Sequence, residues 1–268
     1  MKKLSVLIIK FIIAIQFLTA CNNHVYSSGD LEVIREERFP ISWGKELKVK
    51  VDGGDVTVTG WDRSEVYVKV LGNENAREKL DFIFDNNDSY VEFRTKIKSL
   101  FSSWFSYLSL KIEVKIPEKF NTKIHTSGGD LRLRGVEGSH DLNTSGGDIV
   151  CKEFRGKLEA STSGGDVVLV GSDCAIIAQT SGGDIKLNYS GENIGIDLST
   201  SGGDILAKLP EDFDASMELS TSGGDVSCNL SLNNVIKLSE SKIIADLNNG
   251  GKEFIAHTSG GDIDVRKK

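Results

Sequence analysis

Seven aspartates close the same five-residue phrase, Thr-Ser-Gly-Gly-Asp, at Asp130, Asp148, Asp166, Asp184, Asp204, Asp225 and Asp262. Carboxylates in a row can do three kinds of chemistry. They can ligate calcium, which favours a line of oxygen donors. They can act as the acid and base of glycoside cleavage. They can also accept backbone hydrogen bonds and leave nothing over for a ligand. The other reactive residue types are sparse. The histidines, His24, His125, His140 and His257, are dispersed, and Cys151, Cys174 and Cys228 form no C-x-x-C pair and have no His at metal spacing. No Ser-His-Asp set, phosphate loop or HExxH can be drawn, so neither a catalytic residue nor a metal ligand set is assigned.

What must hold these aspartates is legible from their spacing. Successive copies lie 18, 18, 18, 20, 21 and 37 residues apart, a period that marks a solenoid. The residues one and three places after each Asp are apolar, as in Ile149/Cys151 and Ile185/Leu187, and so, apart from Thr122 and His140, are those six and eight places before it, as in Leu158/Ala160 and Ile196/Leu198. Both runs alternate with polar residues, the period of a half-buried strand. Each coil is therefore strand, Gly-Gly corner, strand and a looser return. The expected fold is an all-β, parallel β-solenoid or β-helix-like repeat of 18–21-residue coils, right-handed by preference. In the last gap, residues 238–247 align with the motif if Ile243 follows a lost Asp, which gives about eight units and a break in the row of acids.

Within the phrase, Thr keeps the inward parity of its strand, so a column of buried hydroxyls can bond to neighbouring coils. Ser points outward, the glycines supply dihedrals that are costly for other residues, and Asp accepts N–H groups exposed at the turn. Two stacked carboxylates ~4.8 Å apart in high dielectric repel by about 1 kcal/mol, whereas a hydrogen bond to a charged group returns about 1.5–3 kcal/mol. The row is therefore stable without a metal. No cofactor is expected, with calcium as the alternative ligand.

The chain opens with a leader. Lys2 and Lys3 precede an apolar run interrupted by Lys10, too short and broken for a comfortable transmembrane helix, and the run ends in Leu18-Thr19-Ala20-Cys21. These four residues resemble the bacterial lipobox, which implies a signal peptide over 1–20, a lipid on Cys21 that binds the membrane, and a linker over 21–44. Removal of the leader leaves 29 Lys and Arg against 39 Asp and Glu. Without basic clusters, nucleic acid is not a partner.

Residues 45–125 read as a further β region ahead of the repeats at 126–268. Within it, residues 98–110 place Phe101, Trp104 and Phe105 at helix-like spacing. They serve either as a cap on the open end of the solenoid or as a lipid or partner contact. The stretch VTVTGWD, an EVKIP strand and the TSGGD copies, in that order, resemble a bacterial family of candidate adhesins described mainly as a domain of unknown function. The resemblance implies a β-solenoid on an exported or membrane-attached protein, and it implies no catalytic residues.

These observations point to a non-enzymatic lipoprotein of the cell envelope, a rigid module for adhesion, binding or scaffolding, with a glycan or an envelope protein as partner. Whether it faces the surface or the periplasm is left open. One alternative is a periplasmic accessory or sensor lipoprotein. Another is a carbohydrate-active β-helix enzyme, which the short returns disfavour because they build no cleft. Besides the repeated aspartates, Asp141, Glu159, Asp197 and Glu218 form outward acidic columns that are candidate contacts.

Overall fold

The structure, a computed structural model, describes residues 31–98 and 107–268. The leader, Cys21, His24, Phe101, Trp104 and Phe105 lie outside the described residues.

The alternating pattern folds as its period requires. Strand β8 (Asn121–Thr126) enters the first Thr-Ser-Gly-Gly-Asp corner and β9 (Leu131–Thr144) leaves it, followed by β10 (Ile149–Ser161) and β11 (Val167–Gln179). These three long strands bend midway, so their first halves lie in one sheet and their second halves in the other. All pairings among them are parallel, with Ile149 between Leu131 and Val167, and Leu158 between His140 and Ile176; the register of β10 against β11 shifts only around Phe154, at the bend. The bends fall where the looser returns are expected. Gly156 adopts φ +98°, and a Cβ there would lie 2.3 Å from the carbonyl oxygen of Gly138. Shorter strands continue the stack, namely β12 (Ile185–Ser190), β13 (Ile196–Thr200) and β14 (Ile205–Leu209).

At both ends, chain order and stacking order part company. The last coil in sequence, β19 (Glu253–Thr258) and β20 (Ile263–Lys267), does not end the stack. It lies between the β13–β14 coil and the coil of β15 (Ala215–Thr221) and β16 (Val226–Cys228). The other end mirrors this. The early coil of β2 (Glu46–Val51) and β3 (Asp55–Trp61) lies between the β8–β9 coil and that of β6 (Tyr90–Ile97) and β7 (Leu110–Pro117). Thus the first sheet runs β6, β2, β8, β9, β10, β11, β13, β19, β15, and the second runs β7, β3, β9, β10, β11, β12, β14, β20, β16. At one inter-strand spacing per step the stack is about 40 Å long.

Antiparallel strands cover both sheets at one end and the first sheet at the other, where the three-residue β16 pairs only with β20, which reduces the open parallel edges on which a repeat fold would otherwise aggregate. At one end β4 (Glu65–Gly72) covers β7, and β1 (Glu32–Pro40) covers β4. The short helix α1 (Glu74–Lys79), capped by the Asn73 side chain, then leads to β5 (Leu80–Asn86) against β6. At the other end β18 (Lys242–Leu247) runs antiparallel to β15, and β17 (Leu232–Ser239) runs antiparallel to β18.

Three expectations are corrected here. The segment aligned as a decayed coil is the β17–β18 hairpin: Ile243, Ala245 and Leu247 are buried as their alternation implies, but the strand runs the opposite way. Without a Gly-Gly-Asp corner the chain turns back at Glu240 and Ser241, whose carbonyls accept the N–H groups of Val226 (2.6 Å) and Thr221 (3.0 Å) and so cap the last corner. Part of the segment read as linker, Glu32–Pro40, is strand β1; its signal is hidden because charged residues dominate a mostly solvated edge. Cys151 and Cys228, which the order of the repeats in sequence would set four coils apart in one inward column, lie five apart because the β19–β20 coil intervenes.

The interior is one continuous core of Val, Ile and Leu columns with Phe93, Phe120, Phe154, Tyr189 and Phe254 fully enclosed. Cys151 and Cys174 are buried within it, and burial pushes the Cys174 thiol up to about 12, as befits inert core residues. No helix among the described residues is long and apolar enough to cross a membrane.

Candidate functional site

The repeated phrase builds two hydrogen-bonded columns along one corner of the stack. In the first, each Asp N–H donates to Oδ1 of the Asp in the preceding coil: Asp130 to Asp55 (2.9 Å), Asp148 to Asp130 (3.0 Å), Asp166 to Asp148 (2.8 Å) and Asp184 to Asp166 (2.8 Å). The column continues through Asp204 to Asp184 (3.0 Å), Asp262 to Asp204 (2.8 Å) and Asp225 to Asp262 (2.8 Å). The acceptor is thus the side chain one coil away, not one in the same turn. The column is also unbroken. The last coil fills the place where a break was expected, and Asp55 of the early Gly-Gly-Asp is the first rung.

Inside it runs a column of buried threonines. Thr144 Oγ1 donates to the carbonyl of Gly129 (3.0 Å), Thr162 to Gly147 (2.9 Å), Thr180 to Gly165 (2.8 Å) and Thr200 to Gly183 (2.9 Å), while Thr258 reaches Gly203 (2.9 Å) and Thr221 reaches Gly261 (2.8 Å). The same carbonyls explain the second glycine of the phrase. A Cβ on Gly165 would lie 2.2 Å from the oxygen of Gly147, whereas one on Gly164 meets nothing closer than 3.6 Å. Through the middle of the array, close approach of the coils, rather than a left-handed dihedral, demands this glycine.

The electrostatics of the aspartate column follow from these bonds. The N–H of Asp204 holds the Asp184 carboxyl below its ordinary value, with Lys186 helping. Lys186 also bridges Asp184 (3.2 Å) and Asp166 (3.7 Å), and Arg132 pairs with Asp130 (2.8 Å). One oxygen of each bonded carboxylate is committed to backbone, and several of the others face a cation. Among the described residues no group of three or more His, Cys, Asp or Glu converges to hold a metal ion.

The outward acidic columns lie on the first sheet. Asp141 and Glu159 are direct neighbours, and Lys123 pairs with Asp141 (3.1 Å). Beyond them the row is not a run of acids. In stacking order it reads Glu159, Ile177, Asp197, Ile255, Glu218, Ile244. Ile255 and Ile244 take their places in this row only when the strands are ordered by stacking, whereas Ile177 lies between Glu159 and Asp197 in sequence order as well. Their signal is present in the doublets Ile176-Ile177, Phe254-Ile255 and Ile243-Ile244, where an apolar residue occupies an outward position. Two grooves of about 250 and 290 Å³ flank Ile255 and Glu253 on this face.

Comparison with known proteins agrees with the architecture. The family model Toastrack DUF4097 matches residues 121–266. The solved structure of a candidate adhesin from Bacteroides fragilis NCTC 9343 superposes with a TM-score of 0.50 at 14% identity, over 90% of this chain and 98% of that one. A candidate cell adhesion protein from Clostridium sporogenes ATCC 15579 gives a TM-score of 0.40 at 15% identity, over 88% of this chain and 100% of that one. No curated protein matches the chain.

Proposed function

The chain belongs to the Toastrack DUF4097 family, and on that premise we propose that it is a non-enzymatic binding or scaffold module of the bacterial cell envelope, held to a membrane through a lipid on Cys21. One observation carries the reading. The Asp carboxylates and Thr hydroxyls of the repeated phrase bond from coil to coil, Asp on Asp and Thr on Gly, so what the repeats offer outward is surface. Two continuous faces, about 40 Å long and backed by a close-packed interior, suit an extended glycan or protein partner. The similarity to a candidate adhesin from Bacteroides fragilis and the lipobox-like residues before Cys21 support an exported location.

Protease treatment of intact cells tests the display. An adhesin is cleaved without lysis, whereas a protein protected until lysis works inside the envelope as an accessory or sensor. Cys21→Ser tests the anchor: the variant is expected in the soluble fraction, and its retention on membranes would refute lipid tethering. Cross-linking of the anchored protein then identifies what travels with it.

A further inference from the structure

On the first sheet the outward position of each rung is charged through Lys48, Lys123, Asp141 and Glu159, and then changes character. From β11 to β18 it alternates isoleucine and acid. Ile194 and Ile236, exposed at 46% and 81%, overhang this stretch from the adjoining loop and from β17. A solvated sheet face has no need of these side chains, and apolar side chains gathered on such a face mark a contact surface. The grooves on either side of Ile255 join them into one trough.

Charge decides what fits the trough. Glu218 is paired with Lys242 (2.7 Å), and Asp246 accepts from Ser216 (3.0 Å) and Asn234 (2.9 Å). Asp197 and Glu253 stand in no ion pair among the described residues, and Lys157, which lines the same groove, pairs with Glu159 (3.9 Å). Burial first, then the Glu253 charge, raises the Asp197 carboxyl above its ordinary value, countered in part by His257. A cation placed beside Asp197 and Glu253 would offset both charges. An anionic lipid surface would be repelled, and a symmetric copy of the same face would set these acids against themselves.

We propose that this trough docks a partner segment carrying apolar and cationic side chains together, an amphipathic basic peptide whose apolar residues pack on Ile177, Ile255 and Ile244 and whose cations meet Asp197 and Glu253. The inference rests on the reading of the chain as a binding module and names the partner chemistry of one of its faces.

The test uses the full chain and a fluorescent synthetic peptide of Lys and Leu in helical amphipathic order, with Glu/Leu and Lys/Ser peptides of equal length as controls. Only the Lys/Leu peptide is expected to bind well. Asp197→Asn combined with Glu253→Gln, substitutions on the sheet surface, should weaken it about tenfold without moving the melting temperature. Ile255→Ser should weaken it similarly; if that variant fails to fold, the acid pair decides. Equal binding of the Glu/Leu or Lys/Ser peptide overturns the proposal, as does affinity indifferent to the acid pair. A concentration-dependent dimer abolished by Ile236→Ser would assign the trough to a second copy instead. If the peptide result fails while the protein is still exported and tethered, this surface alone is withdrawn, and the envelope-module reading stands.

Discussion

The backbone N–H of Asp262 donates to Oδ1 of Asp204 across 2.8 Å, although 58 residues separate them in the chain. The same Asp262 then accepts from Asp225, so the end of the chain is an interior rung. Truncation after residue 252 should therefore not trim a terminal repeat but remove a middle one. The expected result is loss of the cooperative urea transition for the C-terminal half, read by circular dichroism and proteolysis. A truncated chain that melts like the intact one would contradict the stacking order.

The rung bonds themselves can be weighed. Asp166→Ala removes the acceptor of the Asp184 N–H and should cost about 1–2 kcal/mol in urea denaturation. Asp141→Ala, an acid of similar exposure that loses only a surface ion pair with Lys123, should cost under about 1 kcal/mol.

Adjacent glycines should respond unequally. Gly165→Ala forces a methyl against the Gly147 carbonyl, and Gly164→Ala finds ordinary contact distance. Destabilisation of about 2–4 kcal/mol is expected for the first, and little for the second. Equal effects would mean that dihedral preference, rather than the approach of the coils, selects the pair.

His140 should make stability depend on pH. It is 1% exposed, its Nδ1 lies 3.1 Å from Thr122 Oγ1, its Nε2 has no partner, and burial lowers its pKa to about 4. Between the ordinary value near 6.5 and about 4 the unfolded chain binds a proton that the folded chain does not. Stability is therefore full above that window, falls as the pH drops through it, and is lower by about 3 kcal/mol below it. His140→Leu, which matches the column set by Leu158 and Ile176, should flatten the profile over this range in denaturant titrations.

Calcium can be tested on the same preparations. With one oxygen of every rung but Asp225 already accepting an N–H, chelator and added calcium are expected to leave the melting temperature unchanged. A rise of several degrees with calcium would make the aspartate column a ligand site.

Much of this was legible in sequence for a physical reason. The inward columns, the Thr rung and the Gly-Gly corner repeat because every coil meets the same neighbours, so one unit reports on all. Period and alternation, however, say which residues face inward and not which coil stacks on which. The hairpin around Ile243 has the same alternation as a parallel coil, since strand direction does not change which side chains alternate. Likewise, nothing local marks Asp55 as a rung or Ile255 as the neighbour of Asp197; both follow from coils inserted out of order. The outward parity of Ile177 is legible beside that of the acids Asp197 and Glu218, whereas the placing of Ile255 and Ile244 next to them is hidden by that permutation.

The two ends tucked one rung inward also constrain how such a rod can change in length. A unit added at either terminus would meet an antiparallel cover on the first sheet. A unit duplicated between Asp130 and Asp184 would meet the same partners above and below. The reach of the protein is then set by internal duplication, in increments of about 4.8 Å, with the two closures carried along unchanged.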